Sequence, residues 1–439
     1  MSFGVAILAS SLQTEIASDS GQARRSLDAE SATDRSKRVC MLAYTAYESD
    51  GRVRRYAEAL ANRGDHVDVI ALSSGAIPLG VEELNGVTVY RLQRRNHDER
   101  HKWTYVWRLL RFLIVASLFL VRHQRRVPYD LIHVHNVPDF LVFAALYPRF
   151  KGAKVILDIH DIVPELFACK FGVTANSPYI RLLRLIEKVS AAFVDHVIVS
   201  NHFWYETLTS RSVTKEKCSV FINHVDPVIF RRRERTRNDG KLILLFPGTF
   251  QRHQGLDIAI EALAHIKKKV PSAELHLYGG GGVESDLVQQ AARLELSGSV
   301  KFFGGVPYDR IAEVIANADV GIVPKRVNSF GNEAYSTKTM EFMSQGVPVV
   351  ASRTKIDSFY YDDSLVRFFA SGDSEAMAEA VLTVVEDNAL RESIIAKGLE
   401  YADRNSWEHN YHNYLGLVDR LLATTSPILP AGGPTRDRI

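Results

Sequence analysis

"GNEAYSTKTMEFMSQGVPVV", residues 331–350, places Glu333 and Glu341 on either side of a Ser-Thr-Lys turn, just before a Gly-x-Pro-Val-Val run. If a helix begins near Ser336, then Ser336, Thr337 and Lys338 form its first turn. The unpaired amides there, at the positive end of the helix dipole, are suited to a phosphate or diphosphate. Lys338 adds a full charge. Glu341, about one turn in, can accept hydrogen bonds from the vicinal hydroxyls of a ribose, and Glu333 in the preceding loop can face other hydroxyls. The other reading is an ordinary capped helix with two solvated glutamates. Taken alone, the stretch leaves both open.

The surrounding chain makes this stretch one unit of a repeating pattern. From Arg38, short runs rich in Val, Ile and Leu ("RVCMLA", "HVDVIAL", "VTVYRL", "LIHVHN", "KVILDIHD", "HVIVSN") alternate with helical stretches at 52–62, 103–126, near 140–146 and at 180–193. Such runs lack strict alternation, as strands buried on both faces of a parallel sheet do. "CSVFINHVD" closes this series. A second follows: "LILLFPG", a helix at 256–268, "AELHLYGGGG", a helix at 284–294, "VKFFGG", a short helix near Ile311, "VGIVPK", the opening stretch and "VRFFAS". Two βα series predict an α/β chain of two facing Rossmann-like domains, with ligands in the crevice at the carboxyl ends of the strands. The predicted divisions are a disordered tail 1–37, a first domain 38–230, a charged linker 231–240, a second domain 241–405, a helix 406–424 crossing back, and a loose tail 425–439.

The 439 residues, 46% of them hydrophobic, suit two domains rather than one core. A formal net charge of +3 argues against a nucleic-acid partner. The three cysteines, Cys40, Cys169 and Cys218, have no metal-finger spacing and fit a reducing, cytoplasmic compartment. The apolar run Val5–Leu8 is too short for a secretory signal and lacks a basic leader.

Several stretches in order resemble the retaining family-4 glycosyltransferases of the GT-B fold, the glycosyl transferases group 1. "STKTMEFMSQGVPVVAS" is similar to that family's nucleotide-sugar motif, and "FPGTFQRHQGLDIAIEA", "ELHLYGGGG" and "VKFFGGVPYDRIAEVIANADVGIVP" stand where the family has them. "YESDGRVRRYAEALANRGDHVDVIAL" looks like its first loop and helix, so the resemblance covers roughly residues 38–424. It implies that Glu341 binds the nucleotide ribose and Glu333 contacts the donor sugar. The amides near Tyr335, Ser336 and Thr337 would hold the diphosphate, and the "YGGGG" loop would line the base pocket. The family's arginine and lysine in "GTFQRHQG" are replaced by Thr249 or Phe250 and by Gln254. Arg252 or Lys338 then has to supply the cation a diphosphate needs.

In the first series, "DLIHVHN" and "ILDIHD" place His133 with His135, and Asp158 with His160, on shared strand faces. An HxH without further spacing does not specify a metal, and no metal or other cofactor is expected. By the resemblance, His160 faces the reaction centre. The loop "YTAYESDGRVRR" joins a strand to a helix, and Asp50, Gly51 and Arg52 are candidates for contact with acceptor or phosphate. Residues 103–126, "WTYVWRLLRFLIVASLFLVRHQRR", hold an apolar run about half the roughly 20 residues needed to span a bilayer, flanked by arginines and aromatics. A core helix and a helix lying on an anionic membrane both fit.

The reading is a retaining glycosyltransferase that moves a sugar from a nucleotide diphosphate-sugar to a saccharide or lipid-linked acceptor, as in bacterial surface-polysaccharide synthesis, possible contact with the inner membrane surface included. Two rivals stay open at this point: an epimerase or hydrolase of the same fold, and a silent scaffold that binds nucleotide-sugar or membrane.

Overall fold

The computed structural model describes residues 36–75, 77–95, 102–327 and 330–423. The two expected tails lie almost wholly outside these residues. The first eight strands are β1 (Arg38–Ala46), β2 (His66–Ser73), β3 (Gly80–Leu84), β4 (Val87–Arg94), β5 (Leu131–His135), β6 (Lys154–Ile159), β7 (His196–Val199) and β8 (Cys218–Val220). They form one sheet in the order β3-β4-β2-β1-β5-β6-β7-β8, parallel except where β3 pairs antiparallel with β4. The next six are β9 (Leu242–Thr249), β10 (Ala273–Gly280), β11 (Val300–Phe302), β12 (Val320–Val323), β13 (Val349–Ser352) and β14 (Arg367–Phe369). Their order, β11-β10-β9-β12-β13-β14, is the doubly wound 3-2-1-4-5-6 arrangement. In both sheets the order reverses beside the first strand, so β1 with β5 and β9 with β12 open crevices at their carboxyl ends.

Burial follows the apolar runs: Val39–Leu42, Ile132, Val155–Leu157 and Val197–Val199 lie under helices on both faces of the first sheet. Leu244, Phe246, Leu275, Leu277, Ile322 and Val350 do the same in the second. Three local expectations are revised. Residues 139–145 form a 3-10 stretch, followed by a short α-helix Leu146–Phe150 with Pro148 inside it. The strand β3 is new, because its side chains are nearly all exposed and carry no apolar pattern. The chain also changes domain before the charged stretch 231–240. Ile229 and Phe230 already belong to the second core, and Arg233, Arg235 and Arg237 pair with Glu313 and Asp319 along that domain.

The last helix, Trp407–Leu422, returns to the first domain. Trp407 donates its amide to the Val225 carbonyl at 2.8 Å, so the outgoing and returning chains cross side by side. Tyr414, Leu417, Val418 and Leu421 are buried against Val53, Tyr56 and Leu60 of the helix Gly51–Asn62. The first domain's core is thus completed by residues that follow the second domain. Leu417→Ala should cost about 2–4 kcal/mol of stability by the usual large-to-small penalty, read from urea unfolding followed in the first domain. A loss below about 0.5 kcal/mol would mean the helix is a loose appendage.

Candidate active site

Between the two sheets lies a cleft of about 800 Å³. The second domain supplies Gly248 and Thr249 at the end of β9, Tyr278 to Gly280 at the end of β10, the loop Gly305–Asp309, and Thr337, Lys338 and Glu341. The first domain supplies Ala46, Glu48, Ser49, Ser74 and Ile77.

The helix Thr337–Ser344 presents its N-terminus to this cleft. Its N-cap residue, Ser336, makes no side-chain cap hydrogen bond, and the Ser336 and Thr339 hydroxyls are buried without a partner. The first-turn amides therefore lack a side-chain cap. Lys338 extends across Phe246, its ammonium 5.0 Å from the ring centroid. Gly248, at φ +143°, leaves the space: a Cβ there would sit 2.6 Å from the Lys338 Cε. Burial lowers the Lys338 pKa and raises that of Glu341, while each partly offsets the shift of the other. Behind them, buried Lys325 is 2.7 Å from Asp357 and donates to the Ala334 carbonyl at 2.9 Å, fixing the loop before the helix. Tyr278 stacks on Phe303 at 4.5 Å and 9°, forming an aromatic wall at the far end.

A second, smaller pocket of about 360 Å³ lies within the first domain, at the ends of β1, β5 and β6. Its floor is a buried polar cluster around Asp158. Arg52 forms an ion pair with one carboxylate oxygen of Asp158. His135 Nδ1 and His160 Nε2 each lie 3.1 Å from the other Asp158 oxygen, Oδ2. His133 lies beneath, with its Nδ1 2.8 Å from the Tyr414 hydroxyl. His160 is the member that reaches the pocket; its amide donates to the Asn136 side chain at 2.8 Å and its carbonyl accepts from Ser200 at 3.0 Å. Arg52 and the histidines hold the Asp158 carboxyl well below its usual range against the cost of burial, and burial lowers His133 and His135. His133, His135 and Asp158 offer atoms close enough to hold a metal ion. Arg52 already supplies the positive charge that such an ion would bring to Asp158.

The sequence-predicted residues fall in several places. Thr337, Lys338 and Glu341 meet in the cleft, while His160 and Asp50 line the first-domain pocket. Arg52 turns inward to Asp158 and is buried, so its charge is spent inside the fold. The helix start at Gly51 is not an open anion site either, because the Asp50 carboxylate accepts from the amides of Arg52 and Val53 at 3.2 Å. Gly51 instead allows close contact across the cleft: a Cβ there would lie 2.7 Å from the Tyr308 ring. Glu333 is 2.8 Å from Lys355, and its carbonyl accepts from Asn201 of the first domain at 3.2 Å. The Tyr335 hydroxyl is 2.9 Å from that of Tyr361, and Arg252 is exposed on the turn Arg252–Gln254. Glu333, Tyr335 and Arg252 do not line the cleft. Sequence reasoning passed over Lys325, Asp357 and Tyr308; the only local signal was their place after strands.

Residues 51–224 match the family described as Glycosyl transferase 4-like domain, and residues 229–401 match Glycosyl transferases group 1. A phosphatidyl-myo-inositol mannosyltransferase of Mycolicibacterium smegmatis is 28% identical over 409 residues, covering 91% of this chain and 98% of that protein. Among solved structures, sucrose-phosphate synthase of Thermosynechococcus elongatus superposes with a TM-score of 0.71 at 20% identity, covering 88% of this chain and 99% of the other. HepE of Anabaena in complex with UDP-glucose gives 0.64 at 17% identity, covering 86% and 99%. Both share the fold. The chain is a glycosyltransferase of the group 1 family, built on the GT-B fold.

The buried imidazoles make stability depend on pH. His133 and His135 are held below the ordinary value, and burial, helped by Lys338 and Lys325, lowers His253 to about 4. Below about pH 6.5 the unfolded chain takes up protons that the folded chain refuses. Stability should therefore fall as pH drops from 6.5 towards 4, each fully buried histidine contributing up to about 1.4 kcal/mol per unit. Asp158 acts only lower, because its depressed pKa keeps its contribution until pH falls through the folded value. Thermal unfolding midpoints from pH 7.5 to 4.5 test this, and a flat profile would contradict neutral buried imidazoles.

Proposed function

We propose that the chain moves a sugar from a nucleotide diphosphate-sugar, held in the interdomain cleft, to a hydroxyl of a lipid-linked saccharide, with retention of anomeric configuration. The uncapped start of the helix Thr337–Ser344 beside Lys338 carries this reading, being a site for a diphosphate in a cleft large enough for a nucleotide-sugar. Glu341, one turn further in, accepts from the ribose hydroxyls, and the Tyr278–Phe303 wall stacks on the base. As the acceptor oxygen bonds to the anomeric carbon, the bond to the diphosphate breaks and the hydroxyl proton passes to the departing phosphate oxygen. The amides of Thr337 and Lys338, with the Lys338 ammonium, stabilise the charge that develops there without a metal ion. His160 hydrogen-bonds the sugar hydroxyls from the first domain. Glu333, tied to Lys355 outside the cleft lining, is assigned to the donor sugar by the family resemblance alone. Retention follows the family resemblance of the Glu333–Glu341 stretch.

Calorimetric titration with UDP, GDP and ADP tests the donor site. One nucleotide should bind selectively, and Glu341→Ala and Lys338→Met should each weaken it about ten-fold or more, which corresponds to about 1.4 kcal/mol. Equal binding by both variants would remove the cleft from the reading.

The acceptor's lipid is met at the membrane. Thr104–Arg126 is long and apolar enough to cross a bilayer by length and composition, with a mean hydropathy of 1.7 and 22% of that window buried. Leu109, Phe112, Ala116 and Leu120 pack into the first core. The opposite face exposes Trp107, Leu110, Ile114 and Leu118 between Arg111, Arg122, Arg125 and Arg126, and Lys102–Arg126 has no acidic residue. We read this helix as lying on the anionic cytoplasmic face of the inner membrane, with its core face kept on the sheet. Vesicles containing anionic lipid should bind the protein, less so at high salt. The variant with Leu110, Ile114 and Leu118 changed to Ser should bind about ten-fold more weakly or less still; unchanged sedimentation would argue against membrane contact.

A further inference from the structure

The arginine run in 231–237 borders a cavity of about 920 Å³ on the side of the second domain away from the cleft. The cavity opens at the amino ends of β9, β12 and β13, beside Leu242, Asp319 and Pro348, whereas the cleft lies at the carboxyl ends. Its lining holds five cations against two carboxylates, Glu234 and Asp319. Three of the cations are neutralised: Arg233 by Glu313 at 3.2 Å, Arg235 by Asp319 at 2.5 Å and Lys241 by Glu274 at 2.6 Å. Two are not. The Arg232 side chain is exposed and has no hydrogen-bond or ion-pair partner among the described residues. Arg391 donates to neutral acceptors, the Val385 carbonyl at 3.3 Å and the Asn388 side chain at 2.8 Å. These two guanidiniums come to one place from different elements. A Cβ on Gly346, just past the helix Thr337–Ser344, would lie 3.5 Å from Arg232 Nε and 3.6 Å from Ile395 Cγ2. Arg391 stands one turn before Ile395 on the helix Asn388–Arg404, and so on the same face.

We propose that this cavity is an effector site for a phosphorylated small molecule, with the phosphate between Arg232 and Arg391. Guanidinium groups favour phosphate oxygens through paired charge-assisted hydrogen bonds. The volume falls in the roughly 300–1,000 Å³ range of small-molecule sites, and Val270, Val347 and Ile395 give the rest of the molecule an apolar wall. The site also touches the donor helix from behind. Gln345 donates to the carbonyls of Phe230 and Arg231 at 2.7 and 2.9 Å and accepts from the Arg233 amide at 3.2 Å. The segment that carries Arg232 is thus fastened to the end of the helix whose first turn presents Thr337 and Lys338 to the cleft. A phosphate held between Arg232 and Arg391 ties that end to the helix Asn388–Arg404 and so changes the free energy of nucleotide binding at the other end. The coupling rests on the donor reading above; the phosphate site does not.

The test uses the full chain, with its donor cleft saturated by whichever nucleoside diphosphate it binds, and titrates glucose 6-phosphate against glucose. Glucose 6-phosphate should bind at least ten-fold more tightly. Arg232→Gln with Arg391→Gln should remove that advantage. So should Arg232→Glu alone, which breaks no internal hydrogen bond or ion pair and leaves the fold intact, while Lys338→Met should keep the advantage. No preference for glucose 6-phosphate over glucose would overturn the site. So would a preference that survives both arginine variants, or one lost in Lys338→Met, which would put the phosphate in the donor cleft. Saturating glucose 6-phosphate should also change nucleotide affinity about three-fold or more in the unaltered chain and leave it unchanged in Arg232→Glu; equal nucleotide affinity with and without it would overturn the effector role. Failure of nucleotide binding in the unaltered chain would instead count against the donor site, and the titrations without nucleotide would still decide the phosphate site.

Discussion

A carboxylate with no exposure to solvent, Asp158 at the end of β6, is the constraint on which the first domain is arranged. Taking an ionised carboxylate out of water costs several kcal/mol, and only close partners offset that cost. Here the partners come from separate parts of the chain. Arg52 reaches in from the first helix, His135 from the neighbouring strand β5, and His160 from the loop beyond β6. One layer below, His133 connects the same cluster to Tyr414 on the last helix. The ion pair thus orients the first helix and presents His160 to the pocket. It also sits against the helix that returns from the second domain.

The two helix starts nearest the cleft have opposite fates, although both offer free amides in the sequence. At Gly51 the preceding residue is an aspartate, whose carboxylate takes up the amides locally. At Thr337 the preceding residue is a serine whose hydroxyl makes no cap bond. A side-chain cap and a bound anion compete for the same donors, so the helix that lacks the cap is the one able to take a ligand. The difference rests on one side chain at each N-cap, and the cleft gathers around the uncapped helix.

Much of the fold was legible because it is written in apolar runs. The strands around Met41, Ile132, Leu157, Leu244 and Ile322 are continuous hydrophobic segments, and their alternation with helices required a parallel sheet. The strand β3 was invisible because an exposed edge strand carries no apolar pattern, and its identity depends on pairing with β4. The helices Asn388–Arg404 and His202–Arg211 left weak traces, since each buries few residues. In the site, Glu341 and Lys338 could be placed because one helix fixes their spacing. Arg52 was misread as a ligand contact: a surface arginine and a buried partner of Asp158 look alike until the distance from the first helix to β6 is known. Lys325 was passed over for a similar reason, since its partner Asp357 is 32 residues further along the chain.

The replacement of the family's lysine by Gln254 is best understood from the charge balance of the cleft. Gln254 faces its neighbour His253, so this turn brings no cation to the cleft. Lys338 lies over Phe246 with no carboxylate in ion-pair range among the described residues, and burial disfavours its charge, as does Lys325 behind it. Glu341 is disfavoured as an anion in the same way. Burial disfavours the ammonium here, so an anion in the cleft would attract it directly and would in turn favour its charged form. Gly248 gives Lys338 the room to lie there, and the uncapped amides beside it add their dipole without any protonation step. The positive charge that the turn at Gln254 omits is thus carried on the helix itself, where Lys338 lies over Phe246.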